Sequence, residues 1–313
     1  MFIVTGGAGF IGSNVVKRLN QRGITDILVV DNLTRSEKFR NLADLTIRDF
    51  MDKREFRARL DAGTFDVRAE AILHNGACSD TMESDGRYML ENNFGDSKAL
   101  LSHALKHRIP FVYASSAATY GASGHFAIDP ANERPLNVYG WSKLVFDQHV
   151  RPLLPHVESP VVGLRYFNVY GPREQHKGRM MSVLHQLLRQ LEENGVCRLF
   201  QGTDGYGDGE QVRDFVFVDD IVDINLFFAG GPLRKGIFNA GTGQARSFNA
   251  IARTLIQILG RGRIEYIPFP DVLRGKYQSF TQADVASLRE AGYDQPFTAL
   301  EDGIAKTLAE LER

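Results

Sequence analysis

Met1-Phe2-Ile3-Val4-Thr5-Gly6-Gly7-Ala8-Gly9-Phe10-Ile11-Gly12 is the stretch whose reading decides the fold. Phe2–Thr5 is a short apolar run rich in β-branched residues, which predicts a buried strand. Glycines then recur at Gly6, Gly9 and Gly12, and Ile11–Arg22 carries helical periodicity. A strand that turns on glycines into a helix is the first half of a βαβ unit. The glycines allow a tight turn, close backbone approach to a pyrophosphate, and close packing of helix on strand. The spacing differs by one residue from the usual dinucleotide pattern, but those demands are the same. The helix start adds free N–H groups and a positive dipole end, so an anion belongs there.

Outward from this turn the alternation continues. Ile27–Asp31, Ala71–Asn75, Pro110–Ala114 and Val161–Arg165 read as strands, and Met89–His107 and Val138–Leu153 as helices. Strands alternating with helices predict an α/β fold, a Rossmann-type doubly wound parallel sheet with helices on both faces. After about residue 169 glycine and proline become frequent, and 202–211 reads as a flexible loop. Phe215–Val218 and Ile237–Asn239 are strand-like and open to rejoining the sheet, while Ser247–Leu259 and Leu300–Leu311 are helical. We therefore expect a cofactor-binding domain over 1–169 plus about 214–239. A smaller α/β substrate lobe is expected over 170–213 plus about 240–313.

Composition narrows the function classes. A net charge of −1 over 313 residues gives no general attraction to nucleic acid or to an anionic membrane. The two cysteines lack metal-ligand spacing and make no disulfide scaffold, so no metal is expected and a reduced, cytoplasmic setting is. No signal peptide and no membrane span are expected.

Chemistry concentrates in Val138-Tyr139-Gly140-Trp141-Ser142-Lys143. Residues four apart share a helix face, which puts the Tyr139 phenol beside the Lys143 ammonium. A free phenol loses its proton near pH ~10, and a neighbouring cation lowers that value toward a usable base. Ser115, Ser116 and Thr119 follow the Pro110–Ala114 strand, at the sheet edge where ligands collect. Ser116 can bond a substrate oxygen and steady the tyrosine, with Ser115 and Thr119 as rivals. Asp31 ends the second strand, where an acid favours NAD by bonding ribose hydroxyls. Arg35, Lys38 and Lys53 lie downstream and suit a 2′-phosphate instead. Asn75-Gly76-Ala77-Cys78-Ser79 offers small residues for a cofactor to lie against, and Asn92 suits a helix cap. Asp219 and Asp220 suit a helix start.

The glycine turn, Ser116, Tyr139 with Lys143, and Arg213-Asp214-Phe215-Val216 with Asp219-Asp220 together resemble the extended short-chain dehydrogenase/reductase family of nucleotide-sugar epimerases. The resemblance runs nearly end to end. It is most specific through Arg165-Tyr166-Phe167-Asn168-Val169-Tyr170-Gly171-Pro172-Arg173-Glu174-Gln175-His176-Lys177-Gly178 and Phe280-Thr281-Gln282-Ala283-Asp284. It implies bound NADP, with Lys38 and Lys53 near the adenosine phosphate. Further cofactor contacts are implied at Gly6, Gly9, Phe10, Ile11, Gly12, Asp31, Asn32, Asn75 to Ser79, Asn92, Lys143, Val169 and Lys177.

Substrate contacts are implied at Asn168, Arg179, Phe200, Gln201, Gly202, Thr203, Arg213 and Tyr277. Gln186 stands where the family pattern has a His, with His185 adjacent. The implied reaction inverts C6 of an ADP-linked heptose, which would supply heptose to a lipopolysaccharide core. Tyr139 would be one base and Lys177 the second, with the Lys177 charge suppressed by burial or a neighbouring cation. A homo-oligomer is implied, a pentamer included. Alternatives are a nucleotide-sugar 4-epimerase, a 4,6-dehydratase and a silent NADP-binding module. A dehydratase wants an acid pair near Ser116, where Ala117, Ala118 and Thr119 stand.

Overall fold

A computed structural model describes residues 1–232, 234–271 and 277–311; residues 272–276 of the expected lobe lie outside them. Phe2–Thr5 (β1) leads through the glycine turn into Phe10–Gln21 (α1), followed by Ile27–Asp31 (β2), Asp49–Asp52 (β3) and Lys53–Asp61 (α2). Ala71–His74 (β4), Gly86–Leu90 (α3), Asp96–His107 (α4), Phe111–Ser116 (β5), Val138–Val150 (α5) and Val161–Tyr166 (β6) continue the alternation. Asn168–Tyr170 (β7), Val183–Asn194 (α6), Val196–Phe200 (β8), Val212–Phe217 (β9), Val218–Ala229 (α7) and Lys235–Ala240 (β10) come next. The last elements are Ala245–Ser247 (β11), Phe248–Leu259 (α8), Arg263–Ile267 (β12), Ala286–Glu290 (α9) and Leu300–Leu311 (α10).

Seven strands form one parallel sheet in the order β10-β6-β5-β4-β1-β2-β3. Strand order reverses between β1 and β4, and a crevice opens outside their carboxyl ends. On one face Val15, Val16 and Leu19 of α1 pack with Ile221 and Val222 of α7. On the other, Phe56 of α2, Leu100 and Leu101 of α4, and Phe146 and Val150 of α5 are buried together. Each such side chain contributes roughly 1.5–3 kcal/mol on full burial. A third cluster gathers Leu187 and Leu191 of α6, Leu255 of α8 and Ile304 of α10 around Phe215 and Phe217.

Several expectations change or sharpen. Ile237–Asn239 joins the sheet as β10, but Phe215–Val218 does not. Its residues belong to β9, which pairs with β7 and β11 in a separate three-stranded sheet, and to the first turn of α7. The single helix over Met89–His107 is three pieces, because a wide turn over Glu91–Gly95 separates α3 from α4. Asn92 lies inside that turn and caps no helix start; its amide donates to the Tyr88 carbonyl at 2.8 Å. The stretch 202–211 folds into two tight turns, closed by Tyr206 N to Thr203 O at 3.0 Å and Glu210 N to Gly207 O at 3.1 Å. Asp219 and Asp220 do sit in the first turn of α7. The strand β3 went unread because Asp49-Phe50-Met51-Asp52 buries only Met51 at the sheet edge.

Candidate active site

The crevice at the β1/β4 reversal is a cleft of about 940 Å³. Gly6 sits there at φ +66°, and a side-chain carbon on it would stand 2.7 Å from the Gly76 amide. The end of β1 can approach the end of β4 only with glycine at this place. No side chain caps the start of α1, whose N-terminal turn at Phe10, Ile11 and Gly12 lines the cleft. That leaves donors and a positive dipole end for an anion. Gly9, Asn32, Ala77, Cys78, Ser79 and Val169 line the same space.

The charged end of the cleft is organised around Asp31. Its carboxylate accepts from Ala8 N at 2.8 Å and Asn32 N at 2.7 Å, and pairs with Lys38. Lys38 also donates to the Asn32 carbonyl at 2.9 Å. Lys53, the first residue of α2, donates to Asn92 across the mouth. Asp31 thus already faces a lysine and two amides at the place where a ribose would lie. On the floor, the Asn75 amide nitrogen is buried without a protein partner, while its oxygen accepts from the Tyr166 hydroxyl at 3.0 Å. A buried orphan donor beside an uncapped helix start and a glycine cradle fits a dinucleotide.

Beneath the cleft floor runs a buried polar chain. His74 Nδ1 lies 2.6 Å from Thr5 Oγ1, and Nε2 lies 2.8 Å from Ser97 Oγ. Burial, helped by the Lys143 charge, pushes His74 down to about 3, so it is neutral at ordinary pH.

The three candidate hydroxyls separate. Ser115 is buried and donates to Asp147 at 2.9 Å, and Thr119 is buried and donates to the Ser116 carbonyl at 2.8 Å. Ser115 and Ser116 both line the cleft at the end of β5, but it is Ser116 that bonds Tyr139. Asn137 caps α5 by accepting from Gly140 N at 2.8 Å. A side chain at Gly140 would stand 2.5 Å from the Ala118 carbonyl. Glycine there lets α5 approach the turn after Ser116 and brings Tyr139 to the serine.

Tyr139 and Lys143 both line the cleft, as their spacing predicts. Their electrostatics differ from expectation. Lys143 is buried and donates to the Ala114 carbonyl at 2.8 Å; burial brings it down to about 8, against the pull of Asp147. Burial pushes the Tyr139 phenol up, and a hydrogen bond with Ser116 opposes that.

Lys177 lies in a tight turn over Gln175–Met180, broken at Gly178 (φ 56°). Its amine is 5.0 Å from the centre of the Phe10 ring and 3.5 Å from the Glu174 carboxylate. Its charged partner is an anion, where the sequence reading expects burial or a neighbouring cation to suppress its charge. The turn is tied to the cofactor end: Asn41 bonds His176 Nδ1 at 3.2 Å, and Arg35 donates to the His176 carbonyl at 3.2 Å.

The implied substrate residues divide. Asn168 and Arg179 line the cleft, with Arg179 bonded to Asp80 at 2.7 Å. Phe200, Gln201, Gly202, Thr203, Arg213 and Tyr277 lie outside its lining, in the second lobe. There the Arg213 guanidinium lies 4.7 Å from the Tyr277 ring, Tyr277 packs on Phe269, and Phe269 on Phe200. Arg213 is buried, which lowers its pKa, and among the described residues it forms no salt bridge. Neither Gln186 nor His185 lines the cleft. Gln186 donates to the Met181 carbonyl at 2.8 Å, and His185 is buried on the Gly171 carbonyl at 2.8 Å. The sequence reading missed Glu174 and His74. Glu174 differs from an ordinary loop acid only by its burial, and His74 reads as a strand residue.

A model of the NAD-dependent epimerase/dehydratase family matches residues 2–241. The chain belongs to that family. A protein named ADP-L-glycero-D-manno-heptose-6-epimerase from Alkalilimnicola ehrlichii is 57% identical over 308 residues, covering 98% of this chain and 96% of that one. The structure of the Helicobacter pylori ADP-L-glycero-D-manno-heptose-6-epimerase superposes with a TM-score of 0.86 at 32% identity, covering 99% of this chain and 96% of that one. The Thermotoga maritima UDP-glucose 4-epimerase superposes with a TM-score of 0.82 at 28% identity, covering 99% and 98%. The chain is thus an enzyme of the epimerase class that uses a nicotinamide dinucleotide, and the cleft is the place where the residues fit one. Among the described residues no helix is long and apolar enough to cross a membrane.

Proposed function

We propose that the protein inverts C6 of ADP-D-glycero-D-manno-heptose to give the L-glycero epimer. The observation that carries this reading is that two proton-handling side chains, Tyr139 and Lys177, line one cleft. The 57% identity to a protein named for this reaction supports the same substrate. A 4-epimerase has no need of Lys177 as a second base.

The C6 hydrogen of such a sugar is not acidic, so removing it as a proton fails. A nicotinamide dinucleotide held by the glycine turn and the cleft would supply the hydride acceptor and donor that such an inversion needs. The chain's own residues handle the hydroxyl proton. As one epimer is oxidised Tyr139 takes its hydroxyl proton, and as the keto carbon is reduced on the other face Lys177, protonated, gives one to the oxygen; in the reverse direction the two exchange roles. Ser116 bonds the C6 oxygen and the phenol. Lys143 sits one helical turn behind Tyr139 and would bind the ribose of the cofactor. Arg213, a buried cation without a carboxylate, suits the sugar-nucleotide diphosphate, which a guanidinium grips bidentately. Tyr277 and Phe200 offer faces for the adenine.

NADP is the proposed form of the cofactor. Lys38 engages Asp31, and Arg35 and Lys53 line the same cleft, so that acid faces an excess of positive groups. A homo-oligomer, a pentamer included, and residence in the cytoplasm follow from the same reading. Light scattering reads the first.

The deciding experiment incubates the purified protein with ADP-D-glycero-D-manno-heptose and follows C6 configuration by NMR. The expected result is an equilibrium mixture of epimers. No change at C6, with conversion of UDP-glucose to UDP-galactose instead, overturns the reading.

A further inference from the structure

Glu174 is fully buried, yet it belongs to no helix or strand. Leaving a carboxylate in such a place costs several kcal/mol unless it is paired and hydrogen-bonded. Its partners are specific. Ser182 donates its amide at 2.7 Å and its hydroxyl at 2.5 Å. His185 Nε2 lies 3.4 Å away but is closer to the Gly171 carbonyl, at 2.8 Å. The remaining partner is the Lys177 amine at 3.5 Å, the only lysine or arginine paired with Glu174 among the described residues. The Lys177 amide also donates to the Glu174 carbonyl at 2.9 Å. Glu174 thus holds Lys177 by both backbone and side chain.

We propose that Glu174 is a positioning residue for Lys177. Ser182 holds the carboxylate from behind, and the carboxylate holds the amine at the cleft wall against Phe10. Lys177 needs this device because its side chain is 23% exposed and sits beside Gly178, whose left-handed backbone does not stiffen the turn. A flexible amine on an open turn samples many poses, and a misplacement of about 1 Å at a reacting group can cost ~100-fold in rate. The inference rests on the reading of Lys177 as a base.

A purely structural role is the competing account, since Glu174 also fastens the turn to the start of α6 through Ser182. A double-mutant cycle separates the two. Glu174→Gln keeps the shape and removes the charge. It is expected to lower kcat roughly 10–100-fold, with KM and bound cofactor within about twofold of the parent. In a Lys177→Met background the same change is expected to alter the residual turnover by less than about twofold, because the two act as a unit. Ser182→Ala, which leaves the charges alone, should give a smaller loss, again in kcat.

Unchanged kcat in Glu174→Gln, or an equal loss with and without Lys177, overturns the inference. If Glu174→Gln does not fold, Glu174→Asp, which keeps the charge and shortens the reach, must show the same cycle. Lys177→Met alone reports on the two-base reading. Full activity there overturns both proposals, whereas a crippled Lys177→Met with an additive Glu174→Gln overturns only the role of Glu174.

Discussion

The Lys143 amine donates to the Ala114 carbonyl oxygen at 2.8 Å, across from β5, one turn along α5 from Tyr139. Shared helix face therefore does not mean shared hydrogen bond. The cation that spacing assigns to the phenol is anchored to the sheet, and burial is the largest influence on the phenol.

The cofactor-free protein should consequently show a Tyr139 phenol that titrates above the ordinary tyrosine value, since burial is its largest influence. NMR of ring-labelled tyrosine, with Tyr139→Phe for assignment, reads it. A titration at or below the ordinary value would mean that Lys143 acts on the phenol directly.

Tyr139→Phe and Lys177→Met should each lower turnover by ~10²–10⁴-fold, the usual range for a positioned acid or base. Neither is expected to change how much cofactor copurifies, because the glycine turn and the lysines at the mouth hold it. Near-normal rates from either variant remove that residue from the proton transfer.

Replacing Lys38 with Ala frees the Asp31 carboxylate, which Lys38 engages. The preference for NADP over NAD should fall by roughly tenfold or more, as expected when a charge-assisted phosphate contact is lost. Isothermal titration with each dinucleotide checks it, and an unchanged ratio sinks the assignment of the 2′-phosphate to this end.

Arg213→Ala should raise KM for the nucleotide sugar by about 10–100-fold and change kcat less, because it removes a grip on a part of the substrate that does not react. Steady-state kinetics decide it. A pure kcat effect would place Arg213 nearer the chemistry than its position in the second lobe suggests.

Acid stability should carry the signature of His74. Its folded pKa is about 3, well below its ordinary value of 6.5. Between those values the unfolded chain binds a proton that the folded chain does not. Stability therefore falls as pH drops below about 6.5, by ~1.4 kcal/mol per pH unit, until about 3. Urea unfolding from pH ~7 to ~5 should show a slope smaller by about one proton in His74→Gln. Equal slopes would mean that the histidine protonates in the folded state.

Much of the frame was legible because it is set locally. Ile27–Asp31 and Leu300–Leu311 were read to the residue, since an unbroken apolar run and a clean helical period need no distant partner. The edge strand β3 escaped because one buried residue leaves no pattern, and the break before α4 escaped because the helical periodicity runs on through the wide turn. The cofactor side of the cleft followed from glycines and strand ends. Its long-range ties did not: Asn41 to His176, Lys53 to Asn92 and Arg179 to Asp80 each join residues far apart in the chain.

The sequence by itself determined the βαβ order, the glycine cradle and the presence of Ser116, Tyr139, Lys143 and Lys177. Periodicity and the steric demands of a turn are properties of neighbouring residues. Only the tertiary structure decided what each charge faces. It gave Lys143 to a carbonyl, Lys38 to Asp31 and Lys177 to a buried Glu174, and among the described residues it left the buried Arg213 without a salt bridge. Charge depends on distance and desolvation, and both are set by elements packed together from opposite ends of the chain.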